Sequence, residues 1–323
     1  MRGLLGITVL LAALWAGWWA VGARGAKGAA EAWFAAQVGR GITASYEDLT
    51  VLGFPNRFDL TVTAPSLADP ATGLGWTAPF AQIFAMSWKP WHLIAALPGG
   101  QVFSTPDQKV TLNGDRMMAS FLMVPGTDLA FSELVVQGDN LHILGDLGLR
   151  AVGHAVGSMR AETGAEYRLG LSAKDVLVSA AFAGDGPGER ISEGYLDAHI
   201  TLSAPLDRHM GQTRPRLTGV AIDAGSLVWG KMALAAKGRL QPDANGFASG
   251  EVEIRVTGWQ SLPPALAAAG LIAPDFAPVL TRGLAVMAAQ GATADVLVIA
   301  FTARGGRMSL GPLPLGPAPW WGN

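Results

Sequence analysis

The 323-residue chain is 50% hydrophobic, only 15% charged and carries a formal net charge of −2, where a soluble domain has roughly 25% charged residues. So much apolar content excludes a disordered chain, and a pI near 6.2 leaves no basic footprint for nucleic acid. The absence of cysteine excludes disulfides, thiolate catalysis and cysteine-ligated metal, and 42 Gly with 20 Pro argue against a long helical bundle.

The first predicted element is the uncharged run Leu4 to Val21, flanked by Arg2 and by Arg24 and Lys27. As a helix it is about 27 Å long, close to the roughly 30 Å hydrocarbon core of a bilayer. Trp15, Trp18 and Trp19 crowd its C-terminal half, where indoles favour the membrane boundary. A signal peptide has a shorter apolar run and small residues before the cut. The length of this run and the Trp18-Trp19 pair beside Val21-Gly22-Ala23 favour a retained segment. Residues 1–24 are therefore read as a membrane anchor or uncleaved signal, and 25–323 as a single β-rich extracytoplasmic domain. The flanking positive charges nearly balance, so they do not set the orientation.

Beyond the anchor, residues 29–38 hold no helix breaker and continue it as a helix, ended by Gly39 and Gly41. Phe58, Leu60, Val62 and Ala64 alternate with polar residues as a half-buried strand stopped by Pro65. Asn113-Gly114 has the chemistry of a tight hairpin turn. The cleanest alternations are Leu196, Ala198, Ile200 and Leu202 against Asp197, His199 and Thr201, and Val252, Ile254 and Val256 against Glu251, Glu253 and Arg255. Between them, residues 243–246 read as a turn joining two strands, and 184–188 (GDGPG) as an exposed loop. Residues 296–301 (VLVIAF) have no polar face, which calls for cover on both sides. Residues 262–270 and 276–290, rich in Ala and Leu and separated by Pro274-Asp275, read as a short helical hairpin packed on the sheet. The tail from Gly305 to Pro319 holds too many prolines for a central strand.

No local motif carries chemistry. The five histidines, His92, His142, His154, His199 and His209, form no HExxH pair. His142 and Asp146 have metal-ligand spacing only on a helix, which Gly145 and Gly148 oppose, and His199 sits on the polar face of a strand. There is no GxSxG or SxxK, no GxGxxG and no phosphate loop. Glu251 and Glu253 share a strand face, as a glycosidase pair would, but flanking Arg255 marks ordinary charge alternation. Arg214-Pro215-Arg216 is the densest basic spot and reads as a loop. Trp76, Trp88 and Trp91, with Phe80 and Phe84, form an aromatic group suited to sugar or lipid contact, though core filling is the usual role of such rings. Catalytic, cofactor and metal residues are thus expected to be none.

Four segments taken together carry a resemblance: Leu52-Gly53-Phe54-Pro55 with Arg57-Phe58-Asp59-Leu60; Trp76-Thr77-Ala78-Pro79 running to Lys89-Pro90-Trp91-His92; Leu227-Val228-Trp229-Gly230; and residues 310–319 (LGPLPLGPAP). The pattern resembles the bacterial domain of unknown function 2125 family, membrane-anchored proteins mostly of alphaproteobacteria. Ser87-Trp88 replaces an aromatic common there. The resemblance implies an envelope protein, single-pass in the inner membrane with its body in the periplasm, and transfers no catalytic residue. The Leu-x-Trp-Gly strand is loosely similar to strands of AsmA-like envelope proteins, whose curved sheets are associated with lipids; this is fold-level analogy.

The expected fold is mainly β: a large curved antiparallel sheet, taco- or sandwich-like, with an N-terminal membrane helix and a short helical hairpin near the C-terminus. Phe54 and Trp229 are expected to be buried, with Gly230 admitting a close neighbour. The expected function is non-enzymatic: a membrane-anchored envelope protein that binds or transfers lipid, or alternatively a scaffolding partner of an envelope complex. Its partners would be the membrane, through Leu4 to Val21, and a lipid. Any ligand would lie on the apolar face of Leu196, Ala198, Ile200, Leu202, Val252, Ile254 and Val256, which holds no charge to strand.

Overall fold

The computed structural model describes residues 1–146, 148–184, 186–210, 215–289, 293–311 and 313–322. Asp185, Arg214, Gln290 and Pro312, each part of a segment singled out above, lie outside the described residues. Strand dominates, and the nineteen strands among the described residues belong to one hydrogen-bonded sheet with antiparallel pairings. The chain divides into two compact units, Met1–Val124 with Val136–Asp146, and Pro125–Val135 with Leu147–Asn323.

The first unit begins with α1 (Arg2–Gly39), one uninterrupted helix of 38 residues. Residues 29–38 do continue the apolar run as helix. Nine strands follow: β1 (Thr43–Ser45), β2 (Asp48–Leu52), β3 (Arg57–Thr63), β4 (Ser66–Asp69), β5 (Leu74–Thr77), β6 (Phe80–Met86), β7 (Lys89–Leu97), β8 (Gln101–Ser104) and β9 (Lys109–Met123). They form two branches, β2–β3–β6–β7 and β1–β4–β5–β8. The long strand β9 joins them, pairing with β8 over Lys109–Leu112 and with β7 over Met117–Leu122. The alternation read in β3 is real: Phe58, Leu60 and Val62 are buried. They face α1, where Phe34 packs with Leu49, Leu60 and Val62 in a small core.

One turn expectation is corrected here. Asn113-Gly114 is not a hairpin but the middle of β9. The Asn113 side chain accepts a hydrogen bond from the Gly100 N–H at 2.8 Å, and a Cβ on Gly114 would collide with the Leu141 side chain. Both residues thus serve cross-strand packing rather than a turn.

The next strand, β10 (Phe131–Leu144), contributes to both units. The second unit continues as a meander of β11 (Leu149–Ala161), β12 (Glu166–Val178), β13 (Arg190–Leu202), β14 (Leu217–Trp229), β15 (Met232–Pro242), β16 (Ala248–Thr257), β17 (Val296–Arg304), β18 (Arg307–Leu310) and β19 (Leu313–Pro317). From β11 to β19 each strand pairs with the next. The turn read at 243–246 joins β15 to β16, with Asp243 Oδ1 accepting from the Asn245 and Phe247 N–H groups. The proline-rich tail supplies only β18 and the five-residue β19, a position that tolerates a missing ladder donor.

Among the described residues the helices α2 (Ala180–Ala183), α3 (Leu262–Ala268) and α4 (Ala277–Ala288) lie between these strands. The pair α3 and α4 is the expected helical hairpin. Its buried Ala265, Leu284 and Ala288 pack on Val256, Leu297 and Ile299 of β16 and β17. The cover is one-sided. Val298, on the opposite face of β17, is 47% exposed, so the expectation that 296–301 is covered on both sides fails. Trp229 is buried with its indole N–H donated to the Gly188 carbonyl, and Gly230, at φ 58°, approaches the Pro187 carbonyl too closely for any side chain. Phe54, by contrast, is 59% exposed, which corrects its expected burial.

Leu297 is 1% exposed in the densest part of this core. Leu297→Ala should therefore cost about 2–5 kcal/mol, read as a lowered urea midpoint with an unchanged slope.

Candidate apolar cleft beside the N-terminal helix

The sequence fixes which face of α1 meets the sheet. After the membrane run, Gly22, Gly25, Ala26, Ala29, Ala30 and Trp33 recur at helical spacing on one side, while Arg24, Lys27 and Glu31 are exposed. Small residues on the sheet-facing side leave room. Between this face and β3, β5, β6 and β7 lies a cleft of about 700 Å³. None of its eighteen lining residues is charged; from the sheet they include Phe58, Leu60, Trp76, Ile83 and Leu93. The fit is uneven along the helix. Gly22 sits directly against the Phe58 ring, whereas a Cβ on Gly25 would meet nothing within 4 Å.

Two of the lining indoles, Trp18 and Trp76, have their N–H groups satisfied by protein. Trp76 donates its indole N–H to Gln101 Oε1 at 3.1 Å, and Trp18 donates to the Ser87 carbonyl at 3.1 Å. The cleft therefore presents carbon surface with no unpaired donor from either ring, an environment that accepts an apolar ligand and repels a polar one.

Two further indoles bind α1 to the sheet. Trp15 donates to the Pro55 carbonyl at 3.0 Å and Trp19 to the Arg57 carbonyl at 2.7 Å. Trp19 also meets Phe54 edge-on at 5.4 Å and stacks on Phe58 at 6.1 Å. Ser87, fully buried, ties the two turns together: its N–H donates to the Asn56 carbonyl at 2.9 Å, and its hydroxyl lies 3.0 Å from the same oxygen.

The face read from sequence lies elsewhere. Leu196, Ile200 and Leu202 are half-buried on β13 and Ala198 is buried. Val252 and Val256 are buried and Ile254 half-buried on β16. Strands β14 and β15 separate the two rows. Ile254 and Val256 belong to the core beneath α3 and α4, and none of the seven lines the cleft.

The remaining candidates are surface features. His199 bridges two carboxylates, with Nδ1 2.6 Å from Asp223 and Nε2 3.2 Å from Glu162. Beside it the Arg168 guanidinium hydrogen-bonds Asp197 and holds its carboxyl below the usual range. His92 Nε2 is 2.9 Å from Ser120 Oγ. His142 lies on β10, a strand, so its spacing to Asp146 has no metal geometry. No group of three His, Asp or Glu among the described residues is placed to hold a metal ion. Glu251 and Glu253 lie exposed on β16, with Arg255 3.6 Å from Glu253.

A β-rich body, one helix long and apolar enough to cross a membrane, and an apolar cleft beside it define the class. Within that class, the bacterial family described as "Uncharacterized protein conserved in bacteria (DUF2125)" matches residues 19–319, and the chain belongs to it. No curated protein and no solved structure matches the chain. The cleft-lining helix from Gly22 onward falls inside the family region.

The signal that would have found the cleft is the spacing of Gly22, Gly25, Ala26 and Ala29 in a helix that gains nothing from glycine. The same geometry makes removal of residues 1–23 costly, because it would strip all three indole bonds and the contact of Gly22 with Phe58. N-terminal sequencing of membrane-purified protein should read residues ahead of Leu4. A start at Arg24 would contradict this.

Proposed function

We propose that the protein is a non-enzymatic, membrane-anchored lipid-binding protein of the bacterial cell envelope. It holds an acyl chain in the cleft between α1 and the first unit's sheet and presents or transfers it. The observation that carries this reading is the cleft itself. Its volume of about 700 Å³ lies within the roughly 300–1,000 Å³ of small-molecule sites, and its lining holds no charged residue. Polar substrates would lose their water there without replacement hydrogen bonds, whereas an acyl chain is held out of water by about 0.8 kcal/mol for each buried methylene relative to exposing it. The cleft is built on the same helix whose preceding turns are apolar enough to span a bilayer, so lipid is the apolar compound closest to hand.

Gly25 and Ala29 allow a test that spares the fold. A Cβ at Gly25 meets nothing within 4 Å, so a leucine there extends into the open cleft, and leucine is a better helix former than glycine. Gly25→Leu/Ala29→Leu should keep or raise the unfolding midpoint while filling the cleft. Native mass spectrometry after gentle detergent extraction should show a defined lipid mass on the unaltered protein and several-fold less on the variant. Equal lipid on both would defeat the reading.

We further propose that α1 crosses the inner membrane once and that the body lies in the periplasm. Membership of a bacterial family and the single apolar helix support this arrangement, and the lack of cysteine suits an oxidising compartment. Alkaline phosphatase fused after Asn323 should be active; fluorescence of a cytoplasmic reporter at the same point would contradict the orientation.

The scaffolding alternative is favoured by one observation. In the second unit Leu271, Val279 and Val286, on or beside the helical pair, are 72%, 51% and 63% exposed, an apolar surface suited to a protein partner.

A further inference from the structure

We propose that the β2–β3 and β6–β7 turns are themselves membrane elements: Leu52 and Phe54 on one, and Met86 and Trp88 on the other, enter the bilayer beside α1. The proposal rests on α1 spanning the membrane and not on the occupancy of the cleft.

Depth follows from helix geometry. With Arg2 at one boundary of a hydrocarbon core of roughly 30 Å, a rise of 1.5 Å per residue puts Trp15 about 20 Å and Trp19 about 26 Å into it. Trp15, Trp18 and Trp19 are the residues whose indoles hold the Pro55, Ser87 and Arg57 carbonyls. A spanning helix must therefore carry these two turns into the last turns of hydrocarbon on that side.

The turns have the chemistry for that depth. Leu52, Phe54, Met86 and Trp88 are 67%, 59%, 43% and 55% exposed, an unusual density of large apolar side chains at two adjacent strand ends. Irregular backbone is costly in lipid because its polar groups have no water to bind. Here those of Gly53, Pro55, Asn56, Arg57 and Ser87 have protein partners. The Pro55, Arg57 and Ser87 carbonyls accept from the three indoles, and the Asn56 carbonyl accepts from Ser87. The Asn56 and Arg57 N–H groups donate to the Gly53 carbonyl at 3.1 and 2.9 Å. Arg57, paired with Asp59 at 2.8 Å, has a stem long enough to carry its guanidinium toward the headgroups. A protein partner would explain the exposed side chains but not their attachment to the apolar helix at this depth. The partner is the lipid bilayer.

Because Trp18 and Phe58 line the cleft and adjoin these turns, the turn end of the cleft lies at the membrane boundary. A chain entering there would not cross water.

The absence of native cysteine permits a direct test on the full-length protein. Phe54→Cys and Trp88→Cys, each carrying an environment-sensitive fluorophore, would be reconstituted in vesicles of phosphatidylcholine and phosphatidylglycerol. Leu74→Cys, exposed at the start of β5, serves as the aqueous reference. Labels at 54 and 88 should be quenched several-fold more than the label at 74 by a nitroxide on the lipid acyl chain, and shielded from iodide. Iodide quenching equal to that at 74, with no acyl-chain quenching, would overturn the proposal. Repeating the measurement in Gly25→Leu/Ala29→Leu separates the two readings: turns at depth with lipid retained on the variant would defeat only the cleft reading, and turns in water with lipid lost would defeat only the membrane placement of the turns.

Discussion

Three indole N–H bonds from one face of α1 to the carbonyls of two strand turns hold the first unit together at the place where helix meets sheet. Each bond uses a donor with only one proton to give and an acceptor in irregular backbone that would otherwise need water. The bonds set the rotation of α1, and rotation decides which residues behind them face the sheet. Had the helix turned by half, Arg24, Lys27 and Glu31 would point at Phe58 and Leu60, and their charges could not be accommodated there.

The cleft is a consequence of that rotation combined with small residues. The sheet offers large side chains, Phe58, Leu60, Ile83 and Leu93, while the helix offers Gly22, Gly25, Ala26 and Ala29. Contact is complete only at Gly22, where the Phe58 ring fills the gap, and again at Phe34, which packs into the core with Leu49 and Leu60. Between those two points Ala30 packs at the edge of that core, but Gly25, Ala26 and Ala29 leave an open space before the sheet. A core normally closes such a space because each missing contact costs dispersion energy. An apolar space kept open by glycine and alanine is what the proposed acyl-chain site requires.

The second unit solves the same problem of apolar cover in the opposite way. Trp229, Trp259, Val256 and Leu297 lie beneath α3 and α4 with neighbours on every side, and each indole N–H there finds a carbonyl. Its strands pair in sequence order, so the long meander needs no crossover, and the helical pair is carried on the connection between β16 and β17. The apolar rows on β13 and β16 belong to this closed arrangement in differing degree, with Val256 fully covered and Leu196 half-exposed.

What the sequence by itself determined are the features whose cause is local. The uncharged run Leu4 to Val21 is helical and apolar whatever surrounds it, and the alternation of Val252, Ile254 and Val256 with Glu251, Glu253 and Arg255 allows only a strand with one dry face. Residues 262–270 likewise announced the helical pair through their Ala and Leu content. Tertiary structure decided the rest because the partners are distant in the chain. Asn113-Gly114 has ideal turn chemistry, yet the Gly100 N–H and the Leu141 side chain claimed both residues for the interior of β9. Phe54 has the character of a core residue, but the Pro55 and Arg57 carbonyls beside it dock on α1, and that leaves its ring outside. The cleft joins residues 18–34 to residues 58–93, and no periodicity within either segment encodes how far apart the two surfaces stand. That distance is set by Gly22 against Phe58 and by three hydrogen bonds spanning 38 to 69 residues of sequence.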